Sequence, residues 1–133
     1  MAVEPFKIAI SDQVLDDLKQ RLANTRWPDE VLDSGWDYGS NLAYIKELVE
    51  YWRTGFDWRA QEALINTFAH FRTTVDEMGI HFIHQEGKGP NPMPIVLTHG
   101  WPGSFFEMYK LIPLLTDPGA NGADASDSFH VVV

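Results

Sequence analysis

The sequence predicts an α/β fold, in which an N-terminal helical meander precedes the first strands and first helix of a sheet that is incomplete at its C-terminal side. Apolar residues recur at helical spacing in three stretches of the first half, whereas short β-branched runs bounded by glycine and proline dominate the second half. The stretch 95–104 shows both patterns in turn, because an apolar run breaks at glycines and a proline before Ser104 and Glu107 mark a helix start. We therefore predict a helical region at 1–72 and the start of a sheet domain at 73–133.

Three helices are predicted in the first region, after a short extended arm at 6–10. The first runs from a Ser11 cap to about residue 24, the second from a Ser40 cap to about residue 54, and the third begins at an Asp57 cap. Gly55 is placed to end the second helix, as the C′ residue. Each helix carries one apolar stripe. The stripe residues are Val14, Leu18 and Leu22; Leu42, Ile45, Leu48, Val49 and Trp52; and Leu64, Ile65 and Phe68.

Two features of this region imitate functional sites. The stretch 35–39 spells Gly-x-Asp-x-Gly, the pattern of a nucleophile elbow with Asp37 as nucleophile. An elbow needs a strand before it and a helix after it, and Asp33-Ser34 precedes instead, so we interpret Asp37 as part of a structural turn. The aromatic set Trp52, Phe56 and Trp58 is interpreted as core rather than as a ligand site.

The second region predicts a hairpin with strands at 74–77 and 80–85 around Met78-Gly79, a central strand at 95–98 and a further strand at 129–133. His81 and His84 would face opposite sides of their strand, which excludes a shared metal ion. A helix is expected to start at Ser104, with Pro113 thinning its last turn. Its inward residues would be Met108, Leu111, Ile112 and Leu115.

The composition excludes several classes of protein. The formal net charge is −9 without any basic block, which argues against nucleic acid and anionic membrane surfaces as partners. The chain has no cysteine, hence no disulfide framework and no thiolate metal site. No apolar run approaches the ~20 residues of a membrane span. We expect a cytoplasmic location.

The loop at 99–103 permits two interpretations. A glycine-rich loop before a helix presents backbone N–H groups that favour a negative oxygen, and such donors stabilise a developing oxyanion. Alternatively, its glycines and proline only shape a tight crossover turn. Spacing alone does not separate the two.

This loop, His99-Gly100-Trp101-Pro102 followed by Gly103, resembles the oxyanion-hole motif of epoxide hydrolases with the α/β-hydrolase fold. Four earlier segments resemble the N-terminal region of the microsomal-type epoxide hydrolases, in the same order. They are Trp36-Asp37-Tyr38-Gly39, Glu47-Leu48-Val49-Glu50-Tyr51-Trp52, Phe56-Asp57-Trp58-Arg59 and Ile80-His81-Phe82-Ile83-His84. Together the segments cover most of the chain.

The resemblance implies conversion of an epoxide to a vicinal diol without a cofactor or metal. An Asp nucleophile opens the ring while tyrosines polarise its oxygen, and a His oriented by an acidic partner then activates water to hydrolyse the ester. By the motif, the Trp101 backbone N–H is one oxyanion donor for the second step, and the rest of the loop is its scaffold. The Trp101–Pro102 peptide bond is expected to be cis. The scaffold residues are His99, Gly100, Pro102 and Gly103.

The resemblance also implies that the nucleophile, the lid and the catalytic His lie beyond residue 133. The chain is then the N-terminal portion of a hydrolase, inactive by itself, and the full-length protein would take a small hydrophobic epoxide. Microsomal relatives carry an N-terminal membrane anchor, and none is expected here; a homodimer is a further expectation. Two alternatives stay open: a non-catalytic binding or assembly module that retains the N-terminal domain, and part of another Asp-nucleophile α/β-hydrolase such as a haloalkane dehalogenase.

Overall fold

A computed structural model describes residues 2–133 of the chain, which form two compact units. One unit holds the residues up to Ile8 together with Gln61–Val133, and the other is Ala9–Ala60. This division falls at Ala60 rather than after residue 72. The reason is strand pairing, since the arm before Ile8 and the strand that begins at His70 belong to one sheet.

The Ala9–Ala60 unit contains two full helices, α1 at Asp12–Ala23 and α2 at Leu42–Thr54. The predicted Ser11 cap is confirmed, because its hydroxyl accepts a hydrogen bond from the Val14 amide at 3.4 Å. The cap of α2 is Asn41 rather than Ser40, and its side-chain oxygen accepts from the Tyr44 amide at 3.0 Å. A third helix, α3 at Trp58–Ile65, has the predicted Asp57 cap, which accepts from the Ala60 amide at 3.0 Å.

The apolar stripe of α1 differs from the prediction at one position. Val14 is 55% exposed, while Leu15, Leu18 and Leu22 are half-buried. A spacing of four residues drifts around a helix of 3.6 residues per turn, so the true stripe alternates steps of three and four. Gly55 directly follows the last residue of α2, as predicted, with a φ of −109° that is not left-handed.

Within residues 2–133, the second unit has five strands in the order β1-β2-β3-β5-β4. Only β4 and β5 pair in parallel, and the other neighbours are antiparallel. The prediction of a central strand at 95–98 is wrong, because that strand lies at the edge of the sheet and β3 is in the middle. The strands are β1 at Glu4–Phe6, β2 at His70–Val75, β3 at Met78–Gln85, β4 at Met93–Val96 and β5 at Phe129–Val132.

The β2–β3 hairpin is confirmed, but its turn is not Met78-Gly79. The two turn residues are Asp76 and Glu77, with φ of 47° and 66°, and Val75 pairs with Met78. Two successive residues with positive φ are typical of the hairpin turn whose twist matches that of its strands. Glycine at 79 was therefore a misleading signal, since it lies inside β3.

The predicted helix after Ser104 is divided into two pieces. A 3₁₀ helix spans Phe105–Met108, and α4 spans Leu111–Thr116. Pro113 lies in the first turn of α4, where a missing N–H costs nothing, rather than in a last turn. Two short 3₁₀ helices, Gly119–Asn121 and Ala125–Asp127, precede β5.

The core of this unit centres on Ile83 of β3, Ile112 of α4 and Val131 of β5, none more than 1% exposed. Burial of each such side chain contributes about 1.5–3 kcal/mol to folding. Half-buried apolar residues surround them and include Phe105, the first residue of the 3₁₀ helix. The core therefore lies directly beneath the segment that follows the 99–103 loop.

Candidate functional site

The candidate loop leaves the carboxyl end of β4. In the parallel pair, Val96 is opposite Val132, and the Leu97 amide extends the ladder by donating to the Val132 carbonyl at 2.8 Å. The carboxyl ends of β4 and β5 consequently lie at one edge of the sheet. In open α/β sheets, ligands bind outside this edge.

Within the loop, the Gly100 carbonyl oxygen holds the turn together. It accepts a hydrogen bond from the Gly103 amide at 2.8 Å and lies 2.9 Å from His99 Nδ1. Because a carbonyl oxygen can only accept, His99 carries its proton on Nδ1 in this contact. The predicted cis peptide bond between Trp101 and Pro102 is confirmed.

Trp101 projects fully from the loop, and its side chain is 97% exposed. Among residues 2–133, no acceptor takes a hydrogen bond from its amide. A backbone donor that finds no protein acceptor needs water or a ligand instead. The arrangement can therefore offer the Trp101 N–H to an external oxygen at the sheet edge.

Ser104 begins the 3₁₀ helix, as predicted. Its hydroxyl accepts from the Phe106 amide at 3.3 Å, and its carbonyl accepts from the Glu107 amide at 3.1 Å. The carboxylate of Glu107 lies over Gly103, where a Cβ atom would meet Oε1 at 2.1 Å. A hydroxyl in this capping role satisfies a helix amide, in agreement with the helix start predicted at Ser104.

Asp37 lies in an exposed turn, as the absence of a preceding strand predicts. Its amide donates to the Ser34 carbonyl at 2.9 Å, and the flanking Gly35 and Gly39 have φ of 55° and 139°. Glycine supports such angles at little cost. The Gly-x-Asp-x-Gly pattern thus forms a turn here and not a strand-to-helix elbow.

Two histidines that no sequence pattern pairs, His70 and His81, meet on one face of the sheet. His70 is 4% exposed, and its Nδ1 lies 3.0 Å from His81 Nε2. Burial lowers the pKa of His81, and the neighbouring His70 and Arg72 lower it further. His84 is on the opposite face, near Phe71, so the prediction that it cannot share a metal ion with His81 stands. Residues 2–133 contain no metal-capable cluster of three or more His, Asp and Glu side chains.

The Ala9–Ala60 unit carries an apolar groove of about 770 Å³. Trp52 and Phe56, interpreted from the sequence as core, are 46% and 39% exposed and line it. Too few side chains pack around these two rings to bury them within this unit. They therefore form part of its surface rather than its core. The other lining residues are Leu15, Leu18, Lys19, Leu22, Leu48, Tyr51, Asp57, Trp58 and Arg59.

Among residues 2–133, no helix has both the length and the apolar content required to cross a membrane.

The chain has a mixed sheet with helical segments and a glycine-rich loop at the carboxyl edge of its parallel strands. These features place it in the class of α/β-hydrolase folds, and the chain forms one part of such a fold. Solved structures agree. The Aspergillus niger epoxide hydrolase matches with a TM-score of 0.84 at 31% identity, over 100% of this chain and 34% of that chain. The juvenile hormone epoxide hydrolase of the silkworm Bombyx mori matches with a TM-score of 0.85 at 29% identity, over 98% and 31%.

Residues 3–108 match the family described as "Epoxide hydrolase N terminus", and the chain belongs to that family. A provisionally named epoxide hydrolase of Stigmatella aurantiaca (strain DW4/3-1) is 53% identical over 131 residues, which is 98% of this chain. Epoxide hydrolase 1 of Oryctolagus cuniculus is 42% identical over 135 residues, again 98% of the chain. The chain spans 30% of the length of each of these two relatives.

Proposed function

We propose that this chain is the N-terminal portion of an epoxide hydrolase and that its 99–103 loop supplies one donor of the oxyanion hole, the Trp101 N–H. The observation that carries the proposal is the unpartnered Trp101 amide at the carboxyl edge of β4 and β5. The family match gives this donor a chemical context. Its scaffold is the turn closed by the Gly103-to-Gly100 hydrogen bond.

In the proposed reaction, an Asp carboxylate outside this chain attacks one ring carbon, and the C–O bond between that carbon and the epoxide oxygen breaks. The oxygen keeps the electron pair and takes a proton from a tyrosine outside this chain, which leaves a hydroxyl beside the new alkyl-enzyme ester. Water, deprotonated by a His outside this chain, then adds to the ester carbonyl. The negative charge that develops on the carbonyl oxygen is where the Trp101 N–H would donate. Collapse of this intermediate expels the diol and restores the carboxylate.

The role of this chain is then electrostatic and belongs to the second step. A fixed donor aimed at a developing oxyanion contributes about 2.7–4 kcal/mol, or roughly 100- to 1,000-fold in rate. No cofactor or metal enters the scheme. The substrate class that follows is a small hydrophobic epoxide, in keeping with the epoxide hydrolase names of the relatives.

The test removes one N–H and leaves the rest of the loop intact. Residues 1–133 would replace the matching segment of the Stigmatella aurantiaca relative, to which they are 53% identical over 131 residues. In this chimera, position 101 would receive phenyllactic acid, which replaces the backbone N–H by an ester oxygen. Trp101→Phe is the matched control, because it has the same side chain and keeps the N–H.

We expect both chimeras to react with an aromatic epoxide such as styrene oxide. Trp101→Phe should release diol at nearly the parent rate, whereas the ester variant should release it about 100- to 1,000-fold more slowly. Rapid-quench mass spectrometry should show that the slow variant still alkylates its Asp and accumulates the covalent ester.

Three results would contradict the proposal. Equal diol release by the two variants would leave the loop as a crossover turn. If the ester variant alkylated its Asp slowly but hydrolysed the ester at the normal rate, the Trp101 N–H would act in ring opening and not in ester hydrolysis. A folded parent chimera without diol release would favour a non-catalytic module.

A further inference from the structure

A pair of histidines lies under the point where the 99–103 loop enters its helix. His70 of β2 and His81 of β3 are diagonal neighbours on one face of the hairpin, since His70 pairs with Ile83 and His81 with Arg72. Their rings are inclined by only 17°, and Nδ1 of His70 lies 3.0 Å from Nε2 of His81. Neither residue belongs to the loop.

The surroundings determine the direction of this hydrogen bond. His70 Nε2 lies 2.8 Å from the Ile65 carbonyl oxygen, which can only accept, so His70 carries its proton on Nε2. In the neutral imidazole its Nδ1 is then an acceptor, and His81 donates from Nε2. Because His70 is 4% exposed, loss of the His81 donor would leave a buried acceptor without a partner.

Both rings hold Phe105 by edge-to-face contacts. The ring centroid of Phe105 lies 5.8 Å from that of His70 and 5.0 Å from that of His81, at angles of 81° and 69°. Phe105 is the first residue of the 3₁₀ helix, and Ser104 directly before it is the cap. Because the two imidazole rings restrain the Phe105 ring, they also restrain the backbone of Phe105, where the loop segment joins the 3₁₀ helix.

We propose that His70 and His81 are positioning residues for the loop, because they orient Phe105 and, through Ser104 and Gly103, the direction of the Trp101 N–H. The catalytic use of this coupling rests on the proposed function, but the coupling itself does not. The proposal assigns no contact with substrate to either histidine.

The groups around the pair support a neutral, directional hydrogen bond. Phe6 of β1 contacts the His81 ring at 5.5 Å, and the guanidinium carbon of Arg72 lies 3.7 Å from the centroid of that same Phe6 ring. Glu4 of β1 pairs with Arg72 across the strands. Burial is the main cause that lowers the pKa of His81, and the charge of Arg72 lowers it further, which favours the uncharged imidazole.

The first test uses the full chain and needs no activity. His81→Leu removes the donor, whereas His81→Gln places an amide donor where Nε2 was. His84→Leu is the matched control, because it makes the same change on the opposite face of the same strand. Backbone amide NMR shifts are measured for the loop and for Phe105, and long-range imidazole ¹⁵N spectra report the two tautomers.

We expect the 100–105 amide shifts to move in His81→Leu, to return in His81→Gln and to stay unchanged in His84→Leu. Phe105→Leu should move the loop shifts while both tautomers remain, and it also keeps the test decisive if His81→Leu fails to fold. Equal shifts in the His81→Leu and His84→Leu chains, absence of recovery in His81→Gln, or a loop unmoved by Phe105→Leu would each overturn the coupling.

The second test places the same variants in the chimera described above. His81→Leu should slow ester hydrolysis by about 10- to 100-fold, because a misplacement of ~1 Å can cost about 100-fold, while alkylation keeps its rate. His81→Gln should recover the loss. If the loop shifts respond while ester hydrolysis does not, the positioning role in catalysis is refuted and the coupling stands, whereas the proposed use of the loop is decided by the backbone-ester variant at position 101.

Discussion

Replacement of Gly103 by alanine should destabilise the chain through one contact that cannot relax. A Cβ atom at this position would lie 2.1 Å from Glu107 Oε1, 2.7 Å from Glu107 Cδ and 2.8 Å from the Gly100 carbonyl oxygen. The Glu107 carboxylate ends a flexible, exposed side chain and can swing away. The Gly100 oxygen is backbone, and it also accepts the 2.8 Å hydrogen bond from the Gly103 amide, so the turn itself must open.

The magnitude follows from overpacking, which typically costs about 1–3 kcal/mol. With a urea m-value of about 2 kcal/mol per molar, a loss of about 2 kcal/mol lowers the unfolding midpoint by about 1 M. Gly100→Ala is the matched control, because its Cβ would meet nothing within 4 Å. That substitution should be neutral, or stabilise by about 0.4–1 kcal/mol through the unfolded chain.

Equilibrium urea unfolding, monitored by far-UV circular dichroism, gives the unfolding midpoint of each of three variants. The third is Gly103→Ala with Glu107→Ala, which removes the carboxylate contact and leaves the carbonyl contact. We expect only partial recovery in this double variant. Full recovery would show that the side chain was the obstacle, and a Gly103→Ala midpoint equal to that of Gly100→Ala would refute the reasoning altogether.

Three further predictions concern charge, activity and association. The pKa of Asp117 lies below its ordinary value because Lys88 Nζ and the Ala120 amide donate to its carboxylate, so Lys88→Met should raise it, as carboxyl ¹³C NMR would show. A carboxyl with a depressed pKa stabilises the folded state above its unfolded pKa of about 4. The parent chain should therefore be more stable than Lys88→Met at neutral pH, and this difference should vanish as the pH falls through the folded pKa of Asp117. A difference that persists below that pH would contradict this cause. The 133-residue chain alone should release no diol from styrene oxide, and turnover abolished by Asp37→Ala would instead make Asp37 a nucleophile. Sedimentation velocity should show concentration-dependent self-association that Leu48→Glu in the groove weakens, and a single monomer boundary at every concentration would exclude it.

Local signals were sufficient for most elements of this chain. Ser11 and Asp57 cap helices as predicted, because a cap needs only its own side chain and an amide three residues on. The absence of a strand before Asp37 was visible in the sequence and correctly predicted a turn. The cis bond at Trp101–Pro102 followed from a resemblance carried by adjacent residues.

Errors of one or two residues arose where two local signals competed. Ser40 and Asn41 both offer a capping oxygen, and Asn41 is the residue that caps α2. The first amide of the helix, that of Leu42, donates instead to the distant Glu30 carboxylate at 2.7 Å. The hairpin turn contains Asp76 and Glu77 although glycine follows at 79, because the pairing of Val75 with Met78 determines which residues turn. The pairing of Val75 with Met78 could not be predicted from the residue types around the turn.

Strand order and the histidine pair depended on tertiary structure alone. The strand at Met93–Val96 is apolar enough to be central, yet β5, from the far end of the chain, inserts between it and β3 and leaves it at the edge. His70 and His81 are eleven residues apart and become partners only through the register of the hairpin. The sequence by itself determined the three N-terminal helices, the Ser11 and Asp57 caps and the loop that can present a donor, since these depend on neighbours along the chain. Which strand lies beside which, and which buried nitrogen finds which acceptor, depends on contacts between distant segments that only the folded chain brings together.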